Sequence, residues 1–138
     1  MKKLNSILMV DDDFDDREIF RDAIQIINPA LQVEFAENGL EALKKLQSAE
    51  TMPDVIFSDI NMPLMNGIQF LEAIKQQEIY DAVPIVMYTT SPIQSFMQQC
   101  FHLGAQQYIV KPNSFKMICA EIRKALKSLE TIILSTED

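Results

Sequence analysis

Five short β-rich runs alternate with five segments of helical period along this chain, and no other feature narrows the fold as much. The runs are Ser6 to Val10, Gln32 to Phe35, Val55 to Ser58, Pro84 to Tyr88 and Gln107 to Val110. Between and after them, apolar residues recur at helical spacing. Ile19, Ala23, Ile24 and Ile27 form one stripe, and Ile118, Ile122, Ala125, Leu126 and Leu129 another. Leu40, Leu43 and Leu46 mark a further helix, Ile68, Leu71 and Ile74 the next, and Phe96, Cys100 and Leu103 one that stops at Gly104. Strand and helix in strict alternation argue for an α/β fold, a parallel sheet with helices on both faces. At 138 residues the pattern fits a single domain. Its core runs from about residue 6 to 129, with a tail at 131–138 that carries the apolar triplet Ile132, Ile133 and Leu134.

Local signals place some helix starts. Asn66-Gly67 has the composition of a hairpin turn, but the period that follows is 3.6, so Asn66 is read as a helix cap. In Thr90-Ser91-Pro92 the serine is expected as N-cap, with Pro92 at the first helical position.

Composition removes several classes of function. A net charge of −8 repels nucleic acid and anionic membrane, and no basic patch offsets it. Cys100 and Cys119 lack the spacing of a zinc site or a disulfide framework and read as buried thiols in a reducing compartment. Lys2 and Lys3 precede an apolar run too short for a signal peptide or a membrane span, so the expected location is the cytoplasm.

Open α/β sheets hold ligands beyond the carboxyl ends of their strands. The residues expected there are Asp11 and Asp12, Asp59, Thr89 and Lys111, all at one rim. Asp12 or Asp13 suits a cap of the first helix, and Asp15, Asp16 and Glu18 favour its dipole, which accounts for much of the run MVDDDFDD. It does not account for Asp11, Asp12 and Asp59 facing one another. Three carboxylates need a cation, and magnesium, a hard ion commonly held by one or two carboxylates plus a phosphate, answers that need. A calcium loop is excluded because its sixth and twelfth positions would be Asp16 and Asp22 in place of glycine and glutamate. Beside a metal, Asp59 stays ionised as a nucleophile toward phosphorus, while Lys111 and Thr89 offer a charge and a hydroxyl to phosphoryl oxygens.

The runs ILMVDDD, DVIFSDINMPLMNG, PIVMYTTS and GAQQYIVKP closely resemble the receiver domain of two-component response regulators, of the chemotaxis-regulator type, from about Ser6 to Leu129. The resemblance implies a flavodoxin-like, doubly wound five-stranded sheet in the order 2-1-3-4-5 with five helices. It implies a stand-alone phosphoacceptor that catalyses only its own phosphorylation and dephosphorylation. Asp59 would take the phosphoryl group from a histidine kinase or histidine phosphotransfer protein, with Mg2+ on Asp11, Asp12, Asp59 and the backbone carbonyl of Asn61. Thr89 and Lys111 would contact the phosphoryl group. Tyr108 would swing inward as Thr89 moves, and a downstream protein would bind the face of the fourth helix, fifth strand and fifth helix. The Lys111–Pro112 peptide would be cis. Two positions depart from the family pattern: Thr90 stands where alanine or glycine is usual, and Asn66 where aspartate is common.

Three rivals are weaker. A haloacid-dehalogenase-like phosphatase would use Asp11 and Asp13 as a DxD pair, but Phe14 follows Asp13 and no late acidic motif appears. A flavin mononucleotide carrier would need a phosphate cradle where MVDDDFDD would repel one. An unphosphorylated interaction module of the same fold is not favoured by a full set of site residues.

Overall fold

The computed structural model describes residues 3–136, with side chains through Glu130. The elements are β1 (Ser6–Val10), α1 (Phe14–Ile27), β2 (Gln32–Ala36), α2 (Gly39–Ser48), β3 (Val55–Ser58), α3 (Gly67–Lys75), a 3-10 turn (Glu78–Tyr80), β4 (Ile85–Thr89), α4 (Gln94–His102), β5 (Gln107–Val110) and α5 (Phe115–Thr136). All five strands are parallel, in the order β2-β1-β3-β4-β5. Because β1, β3 and β4 are buried on both faces, they read as unbroken apolar runs. Ile7 and Met9 point to one layer with Phe20, Phe57, Tyr88 and Ile122, while Leu8 and Val10 point to the other with Phe70, Leu71 and Ile74. Full burial of each such side chain contributes roughly 1.5–3 kcal/mol, so the sheet anchors both layers.

Register fixes the site. Val10 pairs with both Ala36 and Ser58, so the next residues on β1 and β3, Asp11 and Asp59, leave the sheet side by side. Thr89 pairs with Val110, which brings Lys111 out beside it.

Some sequence expectations shift. Strand β2 runs one residue further, to Ala36, and β4 spans Ile85–Thr89 where Pro84 to Tyr88 was expected. Proline has no N–H for a ladder, though the Pro84 carbonyl accepts from Ile56 N at 3.0 Å. The cap of α4 is Ile93, not Ser91, and the helix begins at Gln94. Ser91 is instead spent on a tight turn, its N–H donating to Thr89 Oγ1 and its Oγ accepting from Ile93 N. Asn66 does cap α3, in a reciprocal box with Gln69. On α2 the inward stripe is Gly39, Ala42 and Leu46, leaving Leu40 exposed. Both cysteines are buried free thiols. The Lys111–Pro112 peptide is trans, correcting the cis expectation; trans is the lower-energy isomer of such a bond by about 0.5–1 kcal/mol. Helix α5 continues into the tail through Thr136, but the side chains of the apolar triplet lie outside those described. Among the described residues no helix is long and apolar enough to cross a membrane.

Candidate functional site at the carboxyl rim of the sheet

Each acid at the rim is held by its own backbone surroundings. Asp11, fully buried, accepts from Asp13 N at Oδ1, and its carbonyl accepts from the Arg17 guanidinium at 2.8 Å. Asp13 caps α1, its Oδ1 accepting from Asp16 N. Asp59 N donates to Val10 O, and its Oδ1 accepts from Ile60 N at 2.7 Å, leaving Oδ2 toward the rim. Asp12 is exposed. One carboxylate oxygen from each of Asp11, Asp12 and Asp59 falls within 4.8 Å of the others. An all-oxygen set of this size, two members buried and one open to water, fits a magnesium ion that keeps part of its hydration. Asn61, whose carbonyl the family resemblance implied as a further ligand, sits exposed two residues beyond Asp59.

Lys111 crosses the rim from β5 and binds three carboxylates at once. Its Nζ donates to Asp11 Oδ2 at 2.6 Å, Asp16 Oδ2 at 2.9 Å and Asp59 Oδ2 at 3.3 Å, and the side chain is only 6% exposed. The ammonium also lies 5.2 Å from the centroid of the Tyr88 ring. That ring is packed edge-on against Phe20 and Phe57.

Charge is unevenly compensated. Burial pushes the Asp11 carboxyl up to about 6, although Lys111 opposes the rise. An ion pair normally lowers a carboxylate pKa, but here a single ammonium is divided among three acids and desolvation wins. For Lys111 burial acts downward, yet Asp11 and Asp59, with the hydrogen bonds to Asp11 and Asp16, together raise it above its usual value. Burial likewise pushes the Tyr88 hydroxyl up to about 12.

The remaining expected residues lie at the same rim. Thr89 is fully buried, its Oγ1 engaged by Ser91 N at 3.3 Å. Tyr108, half-buried on β5, donates its hydroxyl to Ser91 O at 2.8 Å. Ser91 therefore links Thr89 to Tyr108. Sequence reading missed three contributors: Asp16, assigned to the helix dipole alone, Arg17, and Tyr88. Only Asp16 carried a signal. It stands five residues after Asp11, at the third position of a helix that starts from the rim.

This register, acid pocket and bridging lysine define a doubly wound α/β protein equipped to handle a small charged group at its carboxyl edge. The chain matches the response regulator receiver domain over residues 7–136 and belongs to that family, the receiver domains of two-component signalling. Chemotaxis protein CheY1 of Helicobacter pylori is 30% identical over 132 residues, covering 96% of this chain and 98% of that protein. A protein-glutamate methylesterase/protein-glutamine glutaminase of Desulfotalea psychrophila is 36% identical over 96% of this chain but only 35% of its own length. The chain spans less than half the length of the first curated relatives it matches. Among solved structures, chemotaxis response regulator CheY4 of Vibrio cholerae is 34% identical with a TM-score of 0.75, over 88% of this chain and 98% of that one. The phosphorylated cyanobacterial phytochrome response regulator RcpA, 24% identical, shares the fold with a TM-score of 0.80 over 96% of each chain.

Proposed function

We propose that this receiver accepts a phosphoryl group on Asp59 from a histidine kinase or histidine phosphotransfer protein, and that the change alters its binding to a downstream protein. The observation that carries the reading is the meeting of Asp59 with Asp11 and Asp12 under one buried lysine. Oδ2 of Asp59 attacks phosphorus, a P–O bond forms, and the bond from phosphorus to the donor's nitrogen breaks with its electrons leaving on the donor. Asp11, Asp12, Asp59 and the Asn61 carbonyl would hold Mg2+, which supplies positive charge against the phosphoryl oxygens. Lys111 slides from the carboxylates onto one of those oxygens, and the Thr89 hydroxyl turns from Ser91 N toward another. Once Thr89 leaves that hydrogen bond, the turn carrying Ser91 is free to shift, and Tyr108 loses its partner there. Phosphorylation thus reaches the face of α4, β5 and α5 as a packing change. The acidic surface suits protein partners in the cytoplasm better than nucleic acid or membrane.

The test is intact-mass spectrometry after incubation with magnesium and acetyl phosphate. Wild type should gain one phosphoryl group and Asp59→Asn none; equal gain by both would reject Asp59 as the acceptor. Thr90, exposed next to the buried Thr89, adds a branched side chain at the mouth of the site. Thr90→Ala should lose the phosphoryl group faster by about five-fold, equivalent to ~1 kcal/mol of barrier. Decay followed by mass checks this, and equal or slower loss from the variant would remove steric gating by Thr90.

A further inference from the structure

Lys111 has three ammonium protons, and three carboxylates take them. Two belong to the acid pocket, but the third, Asp16, comes from the first turn of α1 and lies outside the metal cluster. Backbone geometry holds it in place, because its own N–H is fixed by the Asp13 cap. A lysine that is to grip a phosphoryl oxygen must first free a donor. A metal on Asp11 and Asp59 competes directly for two of its present partners, whereas nothing in the phosphoryl chemistry releases Asp16. The partly exposed carboxylate also adds negative charge where a phosphoryl group would approach.

From this geometry we infer that Asp16 is a positioning residue that holds Lys111 on the α1 side of the rim and so slows phosphorylation of Asp59. The inference rests on Asp59 being the phosphoacceptor. It predicts a chain tuned for slow loading from small donors, with the rate set by how readily the lysine leaves Asp16. Asp15, the adjacent acid, is exposed and makes no hydrogen bond or ion pair with Lys111. It serves as the control for net charge alone.

The experiment compares wild type, Asp16→Asn, Asp16→Glu and Asp15→Asn. Phosphorylation by acetyl phosphate with saturating magnesium is timed by intact mass, and the Lys111 ammonium is observed by NMR in the metal-free proteins. Asp16→Asn should load about two- to five-fold faster, the scale of removing one partly exposed charge pair. Its Lys111 ammonium protons should exchange faster with water. Asp16→Glu should fall back toward the wild-type rate, and Asp15→Asn should match wild type in both readouts. A loading rate in Asp16→Asn no faster than wild type, an equal acceleration in Asp15→Asn, or an unchanged ammonium signal would each overturn the inference. If wild type itself takes up no phosphoryl group, the phosphoacceptor reading falls and this inference with it. Wild-type uptake without acceleration in Asp16→Asn sinks this inference alone.

Discussion

Gly67→Ala should destabilise the protein by about 3 kcal/mol, a large part of the ~5–15 kcal/mol that holds a typical domain together. A Cβ at this position would stand 1.9 Å from the Asp59 carbonyl oxygen and 2.8 Å from the Asp59 carbonyl carbon and Ile60 Cα. All three are backbone atoms, so no side chain can rotate away. The helix start must move instead, and it would break the 2.8 Å hydrogen bond from Gly67 N to Ile60 O. Overpacking costs typically ~1–3 kcal/mol, and adding a lost buried hydrogen bond brings the total to the figure given. Chemical denaturation measures it, and a loss below about 1 kcal/mol would show that the Asp59 loop yields easily. The same contact explains the close seating of Asp59: α3 begins against the peptide that carries it. The intervening loop is itself tight, with Met65 N donating to Pro63 O across Leu64 at φ 66°.

Lys111→Met has the second large effect. It keeps an unbranched side chain at this position but leaves Asp11 and Asp59, both buried, without their shared cation. Removing one partner of a buried ion pair costs about 3–5 kcal/mol, and here two buried acids are stranded. In metal-free buffer the midpoint of denaturation should fall accordingly. Magnesium should restore part of the loss, since an ion present at 100 times its dissociation constant contributes about 2.7 kcal/mol to the folded state. A variant as stable as wild type without metal would mean that the acids are compensated some other way. A magnesium-insensitive variant would argue against a cation site among them.

How much of this was legible beforehand follows from which interactions are periodic. All five strands were readable, β1, β3 and β5 with their bounds and β2 and β4 to within one residue, because the doubly buried β1, β3 and β4 are continuous apolar runs bounded by turns, and the sheet order because four motifs in order carry a family resemblance. Asp11, Asp12, Asp59, Thr89 and Lys111 were readable as strand-end polar residues, and the register then sets them side by side. What escaped is non-periodic. The start of α4 depends on where the Ser91 hydrogen bonds go, and those go to a turn fixed by Thr89 and to Tyr108. The role of Asp16 depends on the reach of a lysine from 95 residues away, and its place in the first turn of a helix that starts from the rim was the one hint of it. Local chemistry favoured a helix-dipole role for it, and that role is compatible with the ion pair it also makes.

The most direct measurement on the whole account is a crystal structure with magnesium and beryllofluoride, a mimic of a phosphoryl group. The account predicts beryllium bonded to Asp59 Oδ2, a metal ion touching Asp11, Asp12 and Asp59, and Lys111 Nζ moved from Asp11 onto a fluorine. Bare Asp59, with Lys111 still seated on Asp11 in crystals soaked with both reagents in excess, would contradict it.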